Sequence, residues 1–140
     1  MEGAFDIVGC PFFLYDLMKK HNFRELVIWQ DTMSFVKKVY GLSMQLPAEE
    51  RFGLISQVNR SSISIPSNIA EGSGRSSSKE FVRFLEIALS SAYELETQLI
   101  LINELYNLDT KEHLTELSSL QKKIGAFIRK VKSMQMIENK

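Results

Sequence analysis

From Arg24 onward, apolar residues recur every three or four positions, the spacing that places them on one face of a helix. Leu26, Trp29, Met33, Val36 and Tyr40 form the first stripe. Pro47 follows at a position where a helix tolerates proline, and Glu49 and Glu50 then suit the positive end of a helix dipole. This predicts that a second helix starts there, with Ile55, Val58, Ser62, Ile65 and Ile69 facing the core. Gly72 and Gly74 are the expected stop. Ser77 and Glu80 stand three apart as a capping box opening a third helix. Its stripe, Phe81, Leu85, Ala88, Ala92, Leu95, Leu99, Ile102 and Tyr106, keeps the rhythm without a break. Asn107 and Leu108 end it, and Asp109 is placed to cap a fourth helix carrying Leu117, Leu120, Ile124, Phe127, Val131 and Met134.

Four helices joined by short connections predict an all-α, antiparallel up-and-down four-helix bundle over residues 23–138. Residues 1–22 form an N-terminal arm with a different pattern: Phe5, Phe12, Phe13 and Tyr15 make it apolar, and Pro11 interrupts it. The pattern leaves open whether this arm is flexible, docks as a helix or reflects a start codon placed too far upstream. The third helix carries a second apolar line, Phe84, Leu101, Leu105 and Leu108. One bundle seam needs one stripe, so the surplus predicts a subunit interface.

The second helix has a polar line as well. Gln57, Ser61, Ser64, Asn68 and Glu71 share one face, with Arg60 beside it. Ser91, Glu94 and Gln98 repeat the spacing on the third helix, which predicts hydrogen bonds across a close helix contact and a salt bridge from Arg60 to Glu94 or Glu96. Pro66 lies inside this helix, where it removes one N–H and bends the axis. Helix-compatible residues on both sides predict a kinked helix running on to about Glu71.

Composition narrows the chemistry. The chain of 140 residues has one cysteine, Cys10, so it has neither a disulfide framework nor a cysteine-based zinc site. No apolar run reaches the length of a transmembrane helix. Ile7-Val8-Gly9-Cys10 looks like a lipoprotein cleavage site, but the segment before it is acidic and short, so we expect a cytoplasmic protein. His21 and His113 are the only histidines, and Thr110 occupies the place that a Glu-x-x-His metal pair requires. No catalytic, cofactor or metal site is expected, and the chain reads as a non-enzyme.

The Gly/Ser-rich stretch from Gly72 to Ser78 lacks the phosphate-loop pattern and has no strand before it. An anion contact at Arg75, Ser76, Ser77 and Lys79, at the start of the third helix, remains as an expectation beside the plain capped turn. The fourth helix carries Lys122, Lys123, Arg129, Lys130 and Lys132 with no acidic residue until Glu138. Such a stripe suits nucleic-acid backbone contact, and it also suits a helix C-terminus. Overall, 17 basic residues balance 17 acidic ones, so total charge selects no partner.

Three stretches, NFRELVIWQ, VYGLSMQLPAEERFGLISQVNRSSISIPSNIAEGSGR and EFVRFLEIALSSAYELETQL, resemble a bacterial family of four-helix bundle proteins. These were first noticed as open reading frames in intervening sequences of 23S ribosomal RNA genes. The resemblance runs from about Phe23 to Met134 and implies a homopentameric ring. It extends to the accessory variability determinant proteins of diversity-generating retroelements, which are basic pentamers that bind nucleic acid. Arg60, Ser64, Pro66, Asn68, Glu71, Gly72, Gly74, Arg75, Glu94 and Glu96 match the family pattern. Asn59 departs from a common arginine, Ser61 and Ser62 from small apolar residues, and Ser90 from glycine. The resemblance implies an oligomeric binding protein with RNA or an RNA–protein complex as partner; the alternative is a protein–protein scaffold without nucleic-acid binding.

Overall fold

The computed structural model describes residues 22–138, which are all-α with four helices and no strand. The expected arm, including Cys10 and His21, lies outside the described residues except for Asn22. We label the helices α1 (Val27–Ser43), α2 (Leu54–Ser73), α3 (Ser78–Tyr106) and α4 (Lys111–Glu138). Short 3-10 turns at Phe23–Glu25 and Ala48–Glu50 precede α1 and α2.

Each helix packs on its sequence neighbours, and α4 closes back on α1. Cross-helix bonds show the antiparallel registers. Asp31 meets Lys123 while Lys38 meets Glu116, so α1 and α4 run in opposite directions. Ser61 meets Gln98 while Ser64 meets Ser91, which sets α2 against α3 in the same way. Gln121 reaches Glu96 and Lys132 reaches Glu86, fixing α3 against α4.

The core stripe of α3 is buried as the periodicity predicts, from Phe81 to Ile102, with Tyr106 half-buried at its end. In α2, Val58, Ser62, Ile65 and Ile69 are buried and Ile55 is half-buried. In α4, Leu117, Leu120, Ile124, Val131 and Met134 are buried, and Ile128 joins them beside a half-buried Phe127. Phe127 still packs edge-on against Phe81, with centroids 5.8 Å apart.

Helix α1 departs from expectation. Its core face is Ile28, Thr32, Phe35, Val39 and Leu42. Of the predicted stripe only Leu26 is buried; Trp29 and Val36 are half-buried, and Met33 and Tyr40 are exposed. The helix has two apolar faces, and the inner one is interrupted by a threonine. That threonine, like Ser43, Ser62 and Ser73, turns its hydroxyl to a carbonyl three residues earlier in its own helix, so a small polar residue sits in the core with its donor satisfied.

The start of α2 is a second correction. Pro47 opens the 3-10 turn, and the α-helix begins only at Leu54, after Gly53 at φ −109° and ψ −113°, outside both the helical and the extended regions. The Leu54 N–H is capped from a distance by Glu50 Oε1, at 2.9 Å. At the C-terminus of α2 the expected glycine stop falls at Gly74, which caps the helix with an ordinary φ of −87°, while Gly72 lies within it. Asn107 supplies a left-handed stop for α3, at φ 58°. The helix passes through Pro66 without interruption.

Candidate functional site

Two groupings emerge from the singled-out residues: a polar seam between α2 and α3, and a basic end of the bundle built by α4 and the start of α3.

In the seam, the buried Ser61 hydroxyl donates to Gln98 Oε1 at 2.7 Å. One turn on, the Ser64 and Ser91 hydroxyls lie 2.8 Å apart, and Asn68 Nδ2 donates to both the carbonyl and the hydroxyl of Ser64. At the outer edge Arg60 Nη2 donates to Glu94 Oε2 and, at 2.9 Å, to Gln57 Oε1. Glu94 also accepts from Gln98 Nε2. Every group has a partner from the same bundle, so the seam is a self-satisfied contact between helices. Glu96 turns the other way and accepts from Gln121 Nε2 of α4 at 2.9 Å. Asn59, where the resemblance expects arginine, leaves its buried Oδ1 without a partner among the described residues.

The α2–α3 turn is closed by tight packing. A Cβ on Gly72 would lie 2.6 Å from Phe84 Cβ and 3.0 Å from Phe81 Cδ1, so only glycine lets the helices approach this closely. Arg75 stacks over the Phe84 ring at 4.7 Å and pairs with Glu71 at 2.9 Å. Ser77 caps α3, its Oγ accepting the Glu80 N–H at 3.2 Å. Ser76 and Lys79 are exposed. Arg75 and Ser77, two of the residues expected to meet an anion, are thus engaged in closing the turn.

The basic end is arranged differently. Lys123 pairs with Asp31 at 3.2 Å, and Lys132 approaches Glu86 at 3.7 Å. Lys122, Arg129 and Lys130 are exposed and have no ion-pair partner among the described residues. Lys122 lines an open groove of about 750 Å³ along α4 with Ser118, Ser119 and Ala126. The α3–α4 register brings the first turns of α3 to the end of the bundle where Arg129, Lys130 and Lys132 lie. That adds Lys79 and also Arg83, an exposed cation that the sequence pattern does not single out because it sits alone between helix-forming residues. Only the antiparallel register shows that it shares an end with the α4 cations.

At the opposite end, Tyr106 donates its hydroxyl to Glu50, which also accepts the Leu54 N–H. These two bonds, the backbone one foremost, hold the Glu50 carboxyl below its usual pKa. The bond to Glu50 raises that of Tyr106. Among the described residues, no group of three or more His, Cys, Asp or Glu side chains is placed to hold a metal ion, and no helix is long and apolar enough to cross a membrane. His113 Nδ1 is buried without a partner among them, with its ring beside Phe35.

The family model described as 23S rRNA-intervening sequence protein matches residues 24–130. The chain belongs to this family. A solved structure of a protein with unknown function from the S23 ribosomal protein family, from Bacteroides thetaiotaomicron, is similar at 26% identity and a TM-score of 0.60. That match covers 73% of this chain and 94% of the other. Comparison with curated proteins finds no match. The polar seam, the Gly72 crossing and the basic end all fall wholly or mostly inside the matched family region.

Proposed function

We propose that this member of the 23S rRNA-intervening sequence protein family is a non-enzymatic, oligomeric binding protein. It contacts RNA, or an RNA–protein complex, through the basic end of the bundle. The observation that carries this reading is the division among the five α4 cations. Lys123 and Lys132 are held by internal carboxylates, whereas Lys122, Arg129 and Lys130 stand exposed without one. Cations in that state are available to phosphates, and Lys79 and Arg83 lie at the end of the bundle that Arg129 and Lys130 approach. Lys79, with Ser76, Ser77 and Arg75 around it, is a secondary contact point in this reading.

Assembly belongs to the proposal. Exposed Leu101 and Leu105 on α3 are the surplus apolar surface that a neighbouring protomer would cover, and a ring of five would repeat the basic end around one axis. A bend of α2 at Pro66 would shape the protomer for that ring. Nothing in this reading requires a cofactor, and it places the protein in the cytoplasm. The competing scaffold reading draws on the same apolar surface together with the zero net charge.

The test is a titration of the protein with unstructured RNA at increasing salt, with sedimentation in the same buffers. Three phosphate contacts per protomer predict that log K falls with log salt at a slope of about −2. Absence of binding at low salt would leave the scaffold reading in possession, and a sedimenting monomer would remove the ring.

A further inference from the structure

The apolar stripe of α1 that stays out of the core lines a surface groove. Trp29, Met33 and Val36 form one wall, and Ile63, Pro66 and Ala70 of α2 form the other. The groove holds about 330 Å³, and apart from Ser67 its lining is apolar. A cavity of about 150 Å³ accepts a benzene ring, so this one has room for about two. The basic end and the polar seam both leave it unused.

We infer that this groove is the seat of residues 12–18 of the chain's own N-terminal arm. Three observations select that occupant. First, Phe12, Phe13, Leu14, Tyr15, Leu17 and Met18 crowd into seven positions, with Asp16 the only charge among them. Such a stretch favours an apolar surface over water. Second, the arm joins the bundle at the groove's own end. The 3-10 turn Phe23–Glu25 sets the Phe23 ring edge-on to Trp29, with centroids 5.1 Å apart, so the chain enters beside the groove's first residue. Third, the lengths agree. Trp29 to Val36 is roughly 10 Å along a helix. The five residues from Met18 to Phe23 span up to about 17 Å extended. The arm is therefore long enough to reach the groove of its own protomer. Seating it there covers Trp29, Met33 and Ile63, and it gives buried Pro66, which has no N–H to offer, an apolar neighbour. This inference is independent of the nucleic-acid reading.

The chain supplies its own probes, because Trp29 is its only tryptophan and Cys10 its only cysteine. In the full chain, Trp29 emission is expected to be blue-shifted and poorly quenched by acrylamide. Phe13→Asp with Leu17→Asp, outside the described bundle, is expected to shift emission to the red and raise quenching severalfold while helical circular dichroism stays unchanged. Ile63→Glu on the exposed wall is expected to do the same from the groove side. An acceptor dye on Cys10 should receive energy from Trp29 of the same chain. Emission and quenching that ignore all these substitutions overturn the inference. So does energy transfer that appears only when dye-labelled Trp29→Phe chains are mixed with unlabelled wild-type chains, which would place the arm on a second copy.

Discussion

Gly72 has no room for a methyl group, because Phe84 Cβ and Phe81 Cδ1 occupy the space where its Cβ would be. Cβ atoms are fixed to the backbone, so relief requires α2 and α3 to separate. Gly72→Ala is therefore expected to cost roughly 1–3 kcal/mol, despite the better helix propensity of alanine. Gly41 in α1 is the control: nothing lies within 4 Å of its Cβ position, and Gly41→Ala should gain up to about 1 kcal/mol. Urea denaturation reads both, and a Gly72→Ala protein as stable as wild type would contradict the close approach. Glu50 makes a second claim at this scale. Its folded pKa is lowered by the Leu54 N–H and the Tyr106 hydroxyl. The stability it contributes is thus present above the unfolded carboxylate pKa and is lost as pH falls through the folded one. Glu50→Gln should weaken the protein near neutrality and match wild type in acid. Denaturation midpoints across pH test this, and a constant difference at every pH would refute it.

At the scale of elements, the seam between α2 and α3 illustrates how polar residues specify a helix contact. Ser61 and Gln98 are buried against each other, so Ser61→Ala alone leaves the amide oxygen unpaired and should cost about 1–3 kcal/mol. Ser61→Ala with Gln98→Leu removes both partners and should recover most of that loss. A double mutant no better than the single one would show that the pair does not act as a unit. Arg60 and Glu94 are exposed, and their ion pair should contribute under about 1 kcal/mol. The four helices, the seam and the Ser77 cap were legible in the sequence because each rests on spacing within one helix. The core face of α1 was not. Its outer stripe holds Trp29 and Tyr40, whose bulk suggests burial, while the true core face includes Thr32. Periodicity finds both stripes and cannot rank them; packing against α2 and α4 does. The start of α2 was hidden for a related reason. Pro47 and the two glutamates fit a helix start, but the backbone at Gly53 resets the chain before α2 begins.

At the scale of the whole molecule, charge is sorted although it sums to zero. Lys123 and Lys132 pair α4 with α1 and α3, and Lys38 pairs α1 with α4, so two of the five α4 cations are already engaged within the bundle. What remains for a partner is Lys122 midway along α4, and Arg129 and Lys130 nearer its C-terminus, with Lys79 and Arg83 at that end. Sequence showed the α4 cations as one stripe; the bundle separates the tied from the untied. The family region, residues 24–130, contains Lys122, Arg129 and Lys130 in full. The measurement that most directly tests the account is RNA binding at low salt by wild type and by Lys122→Glu/Arg129→Glu/Lys130→Glu. All three substitutions sit on the exposed face of α4 and should leave the helical signal intact. The account predicts that wild type binds and that the triple variant loses binding by at least an order of magnitude, since three phosphate contacts become repulsions. Equal binding by the two proteins would contradict it.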